Sequence, residues 1–175
     1  MLLIQLTGLS GCGKTTISGN VKKMLMDKNH AVEIIDGDVY RQTLCKDLGF
    51  SKEDRCENIR RLGAVAYNIS QQNTIAIIAA INPYEEVRQE LTRQYNAKTV
   101  WIDCAMDELI KRDTKGLYKR ALLADGHPDK INNLTGVNDV YEVPQHADLK
   151  ITSNLESIAT STQILFNFII NNIGQ

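Results

Sequence analysis

Residues Gly8 to Thr15 read GLSGCGKT and match the pattern Gly-x-x-x-x-Gly-Lys-Thr. The motif follows the apolar run LLIQLT and opens a polar–apolar pattern from Thr15 to Asn29, which predicts a strand, a loop and a helix in that order. Glycines let successive backbone N–H groups turn toward an anion, and the start of a helix adds its positive dipole end. The stretch therefore predicts a loop that binds the phosphates of a nucleoside triphosphate.

The residues of this loop have separate expected tasks. Lys14 is predicted to reach the β- and γ-phosphates, and the Thr15 hydroxyl is predicted to hold a Mg²⁺ ion that bridges them. Cys12 is expected to act as a spacer, because backbone donors bind the phosphates at that position. The predicted ATP-binding residues of the motif are Gly8, Ser10, Gly11, Cys12, Gly13, Lys14, Thr15 and Thr16.

Length and composition limit the classes of protein. The 175 residues, 43% of them hydrophobic, are sufficient for one domain with a single core, predicted to span residues 1–175. A net charge of −1 and the lack of a long basic stripe argue against nucleic acid or an anionic membrane as a partner. The four scattered cysteines form no CxxC pair, which indicates neither a zinc site nor disulfides and favours a reducing cytoplasm. We also expect no export signal and no membrane-spanning segment.

Short β-rich runs alternate with longer segments of helical period along the chain. This alternation predicts an α/β, three-layer fold in which a five-stranded parallel sheet carries helices on both faces. The predicted strands are Leu2–Thr7, Ala31–Asp36, Thr74–Ala80, Lys98–Cys104 and Asp148–Thr152.

Local signals predict where two of the helices begin. Ser51 followed by Asp54 is typical of an N-cap, and Ser153 followed by Glu156 is a capping box that we expect to open the last helix. The last helix is predicted to bury one apolar face, because hydrophobic residues recur there at helical spacing. The residues of that face are Leu155, Ile158, Ala159, Leu165, Phe166, Ile169 and Ile170.

The segment 113–143 breaks the regular pattern. It is rich in Lys, Gly, Asp and Asn and has weak periodicity. About 30 such residues inside a compact domain are more typical of a functional lid than of a simple connection. We therefore predict a mobile lid over this range.

A second polar cluster reads Asp36-Gly37-Asp38, with Arg41 three residues further on. It follows the predicted second strand, and the carboxyl ends of parallel strands face the ligand crevice of such sheets. One carboxylate is expected to orient Mg²⁺-bound water, and the other to accept a hydrogen bond from the attacking hydroxyl. The alternative from spacing alone is a β-turn, for which Asp-Gly-Asp is equally suited.

Five stretches together carry a resemblance to one family. GLSGCGKTT, DGDVYR, LGFSKEDRCENIRR, INPYEEVR and RDTKGLYKR resemble, in order and spacing, the motif series of adenylylsulfate kinases, from the first strand to Pro144. Enzymes of that family use MgATP to phosphorylate the ribose 3′-hydroxyl of adenosine 5′-phosphosulfate, which yields the sulfate donor PAPS. The resemblance thus implies a P-loop kinase, and it also implies a homodimer.

The resemblance also implies roles for individual residues. The acceptor nucleotide is expected to be held by Asp38, Arg41, Phe50, Arg55 and Asn58, with Phe50 stacked on its base. Arg88 and Lys115 are expected to meet the anionic groups of the acceptor and the transferred phosphoryl group, to which guanidinium forks and a mobile lysine are suited. The implied catalytic residues are Lys14, Asp36, Asp38 and Lys115, and the implied metal ligands are Thr15 and Asp36.

Several of these charges have simpler interpretations. Without the resemblance, Arg55, Arg60 and Arg61 could all lie on the solvated face of a helix. Arg112 and Lys115 could likewise be surface charges, but their place at the start of the lid favours neutralisation of phosphate, and Arg112 is assigned to the ATP side. The three histidines, His30, His127 and His146, have no metal-like spacing or nucleophilic partner and are given no role.

Two departures from the family pattern bear on the substrate. Asn82 stands before Pro83 where many bacterial members have serine, so no phosphoserine can form there. Leu134 stands where the family usually has the phenylalanine that forms the second wall of the adenine clamp, so one stacking face is lost.

These departures leave alternative functions open. An aliphatic second wall at Leu134 would also suit a pyrimidine, and a related subgroup resembling this family phosphorylates cytidine diphosphoramidate in capsule biosynthesis. A nucleotide-sensing module without catalysis is the alternative of another class, and retention of Lys14, Thr15, Asp36, Asp38 and Lys115 argues against it. A kinase for an unrelated small alcohol would leave the set of Phe50, Arg55 and Asn58 unexplained.

Overall fold

Five parallel strands form a single sheet in the computed structural model, which describes residues 1–174. The strands are β1 (Leu3–Thr7), β2 (Val32–Asp36), β3 (Ile75–Ala79), β4 (Lys98–Asp103) and β5 (Leu149–Thr152). The helices are α1 (Lys14–Met26), α2 (Gly37–Tyr40), α3 (Lys52–Ser70), α4 (Glu85–Tyr95), α5 (Met106–Arg112), α6 (Leu117–Ala121) and α7 (Ile158–Asn172). The predicted α/β fold with a five-stranded parallel sheet is confirmed, and each predicted strand is found within one residue at either end.

The central strand β1 is buried on both faces. Ile4 and Leu6 pack into a core that includes side chains of α1 and α7, whereas Leu3 packs into a second core that includes side chains of α3 and α4. Apolar residues on both faces of a strand are typical of parallel sheets, because helices cover each side. The helices therefore lie in two layers with the sheet between them, as predicted.

Strand β1 also marks the point where the connections change direction. The order across the sheet is β2–β3–β1–β4–β5, so that the chain moves to one side of β1 first and to the other side afterwards. In open parallel sheets ligands bind in the crevice outside the carboxyl ends of the strands at this reversal. The loop after β1 and the residues that follow β2 and β3 consequently meet at one edge.

Two polar side chains of β1, Gln5 and Thr7, bind the segment that follows β3 at that edge. Gln5 Nε2 donates to the Arg88 carbonyl at 2.9 Å, and Gln5 Oε1 accepts from Asn82 Nδ2 at 3.0 Å. Thr7 Oγ1 lies 2.9 Å from both the Ile81 and the Asn82 carbonyl oxygens. Buried polar groups cost free energy unless they are hydrogen-bonded. This network therefore fixes segment 81–88, which we call the crevice floor, against β1.

The two predicted helix starts had different outcomes. Ser51 caps α3 as expected, and its Oγ accepts from the Asp54 N–H at 3.1 Å. The prediction for Ser153 was wrong, because its N–H and its hydroxyl both donate to the Asp103 carbonyl, at 2.8 and 3.1 Å, and so extend the contact with β4. Helix α7 begins instead at Ile158, where the Ser157 side chain accepts from the Thr160 N–H at 3.0 Å.

The later start also changes the buried face of α7. Leu165 and Ile169 are fully buried, and Phe166 and Ile170 pack partly against the same core. The remaining three residues of the predicted face, Leu155, Ile158 and Ala159, are exposed, so that part of the prediction was wrong.

Two further expectations concern the cysteines and membrane segments. Cys12, Cys45, Cys56 and Cys104 are free thiols in buried positions. Among residues 1–174, no helix has the length and apolar character needed to cross a bilayer.

A pair of glycine substitutions tests the packing of α3 on α4. A Cβ at Gly19 in α1 would meet nothing within 4 Å, whereas a Cβ at Gly63 in α3 would lie 2.9 Å from Cγ of the buried Leu91 in α4. Gly19→Ala should raise the free energy of unfolding by about 0.5–1 kcal/mol through helix propensity. Gly63→Ala should lower it by about 1 kcal/mol, because crowding a packed core costs more than that gain.

Denaturant unfolding of the two variants beside the unsubstituted chain measures both shifts. Equal stabilisation by the two alanines would contradict the close contact between α3 and α4.

Candidate active site

The loop between β1 and α1 has the backbone geometry of an anion site. Gly11 and Gly13 adopt φ values of 79° and 103°, which favour glycine. A Cβ at Gly8 would lie 2.3 Å from the Ile102 carbonyl oxygen, so only glycine fits there. Gly13 precedes α1 and supplies no side-chain cap, which leaves the N–H groups of the first turn available to an anion.

Lys14 lies across this loop. Its Nζ donates to the Gly8 carbonyl at 2.7 Å and to the Leu9 carbonyl at 2.9 Å, and Cys12 Sγ is 3.6 Å away. The Lys14 side chain is largely buried, and Cys12 is almost inaccessible to solvent. Two of the three N–H donors of the Lys14 ammonium group are therefore directed to loop carbonyls.

The two carboxylates after β2 have different partners. Asp36 Oδ2 accepts from Thr15 Oγ1 at 3.3 Å, and Asp36 Oδ1 accepts from the Asp38 N–H at 2.9 Å, which caps α2. The carboxylate of Asp38 forms an ion pair with Lys115 from segment 113–143. The Asp-Gly-Asp stretch thus starts a short helix rather than a simple turn, and it turns one carboxylate toward the phosphate loop and the other toward Lys115.

A crevice with a cavity volume of about 440 Å³ runs from the phosphate loop to the loop before α3. A neighbouring cavity of about 320 Å³ shares part of its wall. Predicted site residues that line the larger cavity are Ser10, Gly11, Gly13, Lys14, Thr15, Thr16, Asp36, Asp38, Phe50, Arg55, Lys115 and Leu134. Arg41 and Asn58 line the smaller cavity together with Asp38, Phe50 and Arg55.

Two arginines flank the exposed ring of Phe50. The Cζ atoms of Arg41 and Arg55 lie 4.9 and 5.3 Å from the ring centroid. Burial lowers the pKa of the Arg41 guanidinium below its ordinary value, and the positive charge of Arg55 lowers it further. An anion bound near both guanidinium groups would offset their mutual repulsion.

Asn58 adds an unmet hydrogen-bond acceptor to the same wall. Its side chain is buried, and Oδ1 has no hydrogen-bond partner among the residues that the structure describes. Buried polar atoms are nearly always paired in folded proteins. An unpaired oxygen on a residue that lines a cavity is suited to a donor group on a ligand.

Leu134 forms part of the larger cavity wall and is itself buried, 5% exposed. Its backbone N–H donates to Asn138 Oδ1 at 2.7 Å. Phe50, by contrast, is 56% exposed, so that its ring is available to a ligand. Within residues 1–174, Phe50 is thus the one aromatic side chain that lines this cavity, and Leu134 is one of several aliphatic side chains, with Ile81, Leu117 and Ile131.

Four predicted site residues line neither cavity: Gly8 and Cys12 of the phosphate loop, Arg88 and Arg112. Arg88 is only 1% exposed, and its guanidinium donates to the Asn82 and Glu142 carbonyls, each at 2.7 Å, and to the Glu85 carboxylate. Arg112 is exposed and donates to the Ser153 carbonyl at 3.2 Å. Neither arginine lines either cavity, and the contacts of Arg88 with the acceptor and of Arg112 with ATP stay predictions.

Sequence reasoning also missed two residues beside the crevice. Tyr118 is buried in α6 and its hydroxyl donates to the Ser10 carbonyl at 2.8 Å, which ties segment 113–143 to the phosphate loop. Burial raises the pKa of Tyr118, so the hydroxyl keeps its proton for this bond. Asp139 pairs with Arg55 at 2.7 Å. Tyr118 lies inside the RDTKGLYKR stretch and Asp139 inside the NDVYEVP stretch, but neither residue was given a role.

Comparison with known proteins agrees with this geometry. A family model described as adenylylsulphate kinase matches residues 1–152. The chain is 42% identical over 158 residues to the adenylyl-sulfate kinase of Chloroflexus aurantiacus. The aligned region covers 90% of this chain and 82% of that protein. It is 38% identical over 165 residues to the adenylyl-sulfate kinase of Microcystis aeruginosa. This aligned region covers 94% of this chain and 88% of that protein.

Solved structures extend the similarity to the backbone. The APS kinase of Mycobacterium tuberculosis in complex with AMPPNP and APS matches with a TM-score of 0.87 and 31% identity over 96% of each chain. A hexameric APS kinase from Thiobacillus denitrificans matches with a TM-score of 0.69 and 27% identity over 97% of this chain and 29% of that chain. With nearly all of its length matched in sequence and in backbone, the chain belongs to the adenylylsulphate kinase family.

Proposed function

We propose that this chain transfers the γ-phosphoryl group of ATP to the ribose 3′-hydroxyl of adenosine 5′-phosphosulfate, which yields ADP and PAPS. The observation that carries the proposal is that the phosphate loop and the acceptor-side residues Phe50 and Arg55 line one crevice. Asp38 and Lys115 line the same crevice and pair with each other. A relative solved with an ATP analogue and APS supports the same pair of substrates for this chain.

The donor side of the crevice is assigned to the phosphate loop. Its backbone N–H groups and the start of α1 would hold the ATP phosphates, and Lys14 would exchange its two carbonyl partners for phosphate oxygens. An ammonium group near the transferred phosphoryl offsets the charge that gathers on its oxygens. Lys14 is thus assigned to the transition state as well as to binding.

Thr15 and Asp36 fit a Mg²⁺ ion. The hydroxyl and the carboxylate offer oxygen atoms 3.3 Å apart, and hard cations prefer oxygen ligands. Within residues 1–174 no group of three or more His, Cys, Asp or Glu side chains is placed to hold a metal, and Mg²⁺ bound with a nucleotide needs few protein ligands. When bound, Mg²⁺ would neutralise charge on the ATP phosphates.

Asp38 and Lys115 are assigned to the transfer itself. Phosphoryl transfer depends mainly on alignment and charge neutralisation. Asp38 would accept the hydrogen bond of the attacking 3′-hydroxyl and take its proton, and Lys115 would leave Asp38 to meet the transferred group. The ion pair between the two side chains keeps both at the point where donor and acceptor sides meet.

The acceptor nucleotide is assigned to the opposite side of the crevice. Phe50 would stack on the base, and Arg41, Arg55 and Asn58 would bind the polar groups of the nucleotide. Leu134 offers an aliphatic wall that also suits cytosine, so cytidine diphosphoramidate is the competing acceptor. The relatives, which are named as adenylyl-sulfate kinases, favour adenosine 5′-phosphosulfate.

The chain is also proposed to form a homodimer and to act in the cytoplasm. The family resemblance supports a homodimer, which sedimentation of the purified chain would test. The four free cysteines support a reducing cytoplasm. Segment 113–143 is proposed to act as a mobile lid, since it carries the exposed Lys115 to the wall of the crevice.

A substrate panel tests the proposed reaction. The purified chain with MgATP would be given adenosine 5′-phosphosulfate, cytidine diphosphoramidate, AMP and CMP, and ADP release and the phosphorylated product would be measured. Preferred turnover of adenosine 5′-phosphosulfate supports the proposal, whereas preferred turnover of the cytidine compound replaces it. ATP binding without turnover of any member would favour the sensing module.

Lys14→Ala should reduce turnover below detection, because the transition state loses its nearest fixed cation. Lys22→Ala is the matched control, since Lys22 lies in the same helix and pairs with Glu33 at the surface. Steady-state assays would compare the turnover of both variants with that of the unsubstituted chain. Full turnover by Lys14→Ala would contradict the assigned role.

Asp38→Asn should lower kcat by roughly 10²-fold or more and change the KM for ATP by less than about twofold, because it removes a proton acceptor that acts on the attacking hydroxyl. Asp47→Asn, which alters an exposed carboxylate paired with Arg61, serves as the control. A comparable loss of ATP affinity in Asp38→Asn would instead place Asp38 on the metal.

Leu134→Phe should improve a purine acceptor relative to a pyrimidine acceptor, because a second aromatic wall adds about 1–3 kcal/mol of stacking per base. The ratio of kcat/KM values for the two acceptors measures this change. Leu122→Phe, at an exposed position just after α6, is the control. An unchanged ratio in Leu134→Phe would mean that Leu134 does not contact the base.

A further inference from the structure

An ion pair joins the buried Arg55 of α3 to the half-buried Asp139, and the two groups attract each other by charge, since Asp139 Oδ2 accepts no aligned hydrogen bond within residues 1–174. Arg55 Nη2 and Asp139 Oδ2 are 2.7 Å apart, and the two side chains are 8% and 22% exposed. Arg55 Nη2 also lies 2.7 Å from the Asn133 carbonyl, and Nε donates to the Phe50 carbonyl at 3.0 Å. Nη1 takes part in none of these contacts, and Arg55 lines both cavities of the crevice.

Asp139 belongs to a stretch, residues 133–142, that we call the strap. Asp139 pairs with Thr135 in a single β-bridge, and its carbonyl accepts from the Gly136 N–H at 2.8 Å. Residues 135–139 of the strap therefore form a small closed turn. Leu134 immediately precedes this turn, so that the position of its side chain in the crevice wall depends on where the turn is held.

The far end of the strap is fixed independently. Tyr141 Oη lies 3.0 Å from Thr7 Oγ1, and the Glu142 N–H donates to the Pro83 carbonyl at 2.9 Å. The Glu85 N–H donates to Glu142 Oε2 at 2.7 Å. These contacts attach the strap to β1 and to the crevice floor, whereas the end near Leu134 is attached to α3 through Arg55.

We infer that Asp139 is a positioning residue that holds Arg55 and the strap in the geometry that binds the acceptor nucleotide. The inference rests on the proposed function. A buried guanidinium that lost its carboxylate would seek other partners, because uncompensated buried charge is costly. Arg55 and Leu134 would then move relative to Phe50. The site could then no longer bind the base and the anionic groups of the acceptor at the same time.

The opposite effect is physically possible, and the test separates the two. Asp139 could compete with the acceptor anion for Arg55, in which case removal of its charge would tighten acceptor binding. The three contacts of Arg55 favour positioning, since Nη1 is left over for a ligand while the carboxylate pairs with Nη2.

Asp139→Asn is the decisive variant, because it keeps the shape and removes the charge. The acceptor KM should rise by roughly tenfold to a hundredfold, while kcat and the KM for ATP change less than about threefold, as expected for misplacement of a binding group. Asp139→Glu, which keeps the charge but moves it by one methylene, should give an intermediate acceptor KM. Asp125→Asn, which neutralises an exposed carboxylate paired with Lys130, should leave all constants unchanged.

Thermal unfolding separates positioning from stability. Glu142→Gln weakens the far attachment of the strap, and it should lower the unfolding midpoint without changing the acceptor KM. An acceptor KM raised equally by Glu142→Gln and Asp139→Asn would overturn the inference. An unchanged or lowered acceptor KM in Asp139→Asn would also overturn it. If Asp139→Asn does not fold, Asp139→Glu decides, and an unchanged acceptor KM in that variant overturns the inference.

The same assays distinguish failure of the inference from failure of the proposed function. They are run with each nucleotide of the panel that the unsubstituted chain accepts. Turnover of a nucleotide other than adenosine 5′-phosphosulfate, with the KM shift present in Asp139→Asn, would overturn only the proposed substrate. Normal turnover of adenosine 5′-phosphosulfate without the shift would overturn only the role of Asp139. An unsubstituted chain that binds no acceptor would overturn both.

Discussion

The close approach of Gly8 to the end of β4 determines where the phosphate loop can lie. A Cβ at this position would be 2.3 Å from the Ile102 carbonyl oxygen, and the Gly8 N–H donates to the Ile81 carbonyl at 3.1 Å. The loop is thereby held against the strands on both sides of β1. Ser10, Gly11 and Gly13 line the crevice as a consequence, and every assignment on the donor side depends on that placement.

The floor of the crevice is polar although it is buried. Gln5, Thr7, Asn82 and Arg88 connect β1 to segment 81–88, and all four are buried. Hydrogen bonds compensate the burial of these groups, Asn82 Oδ1 being an exception without a partner within residues 1–174, and a network of this kind has little freedom to shift. Arg88 therefore stabilises the crevice floor through hydrogen bonds to protein oxygens. Asn82 has a backbone φ of 48°, a left-handed conformation that asparagine adopts more readily than most residues.

The cations around the crevice have protein partners. Lys14 is held by the Gly8 and Leu9 carbonyls, Lys115 by Asp38, and Arg55 by Asp139 and the Asn133 carbonyl. Substrate oxygens would have to replace some of these contacts, so only the difference between old and new partners contributes to affinity. In return, the side chains stay near their working positions, which reduces the loss of entropy on binding.

The sequence by itself determined the elements that depend on local pattern. The phosphate loop, the five strands, the Ser51 cap and the carboxylates after β2 were predictable, because glycine spacing, strand–helix alternation and capping act between neighbouring residues. Only the tertiary structure decided what distant charges do. Arg88 turned inward to the floor, Ser153 continued along β4, and Arg55 found Asp139, since a side chain's partner is set by which elements pack beside it rather than by its neighbours in the chain.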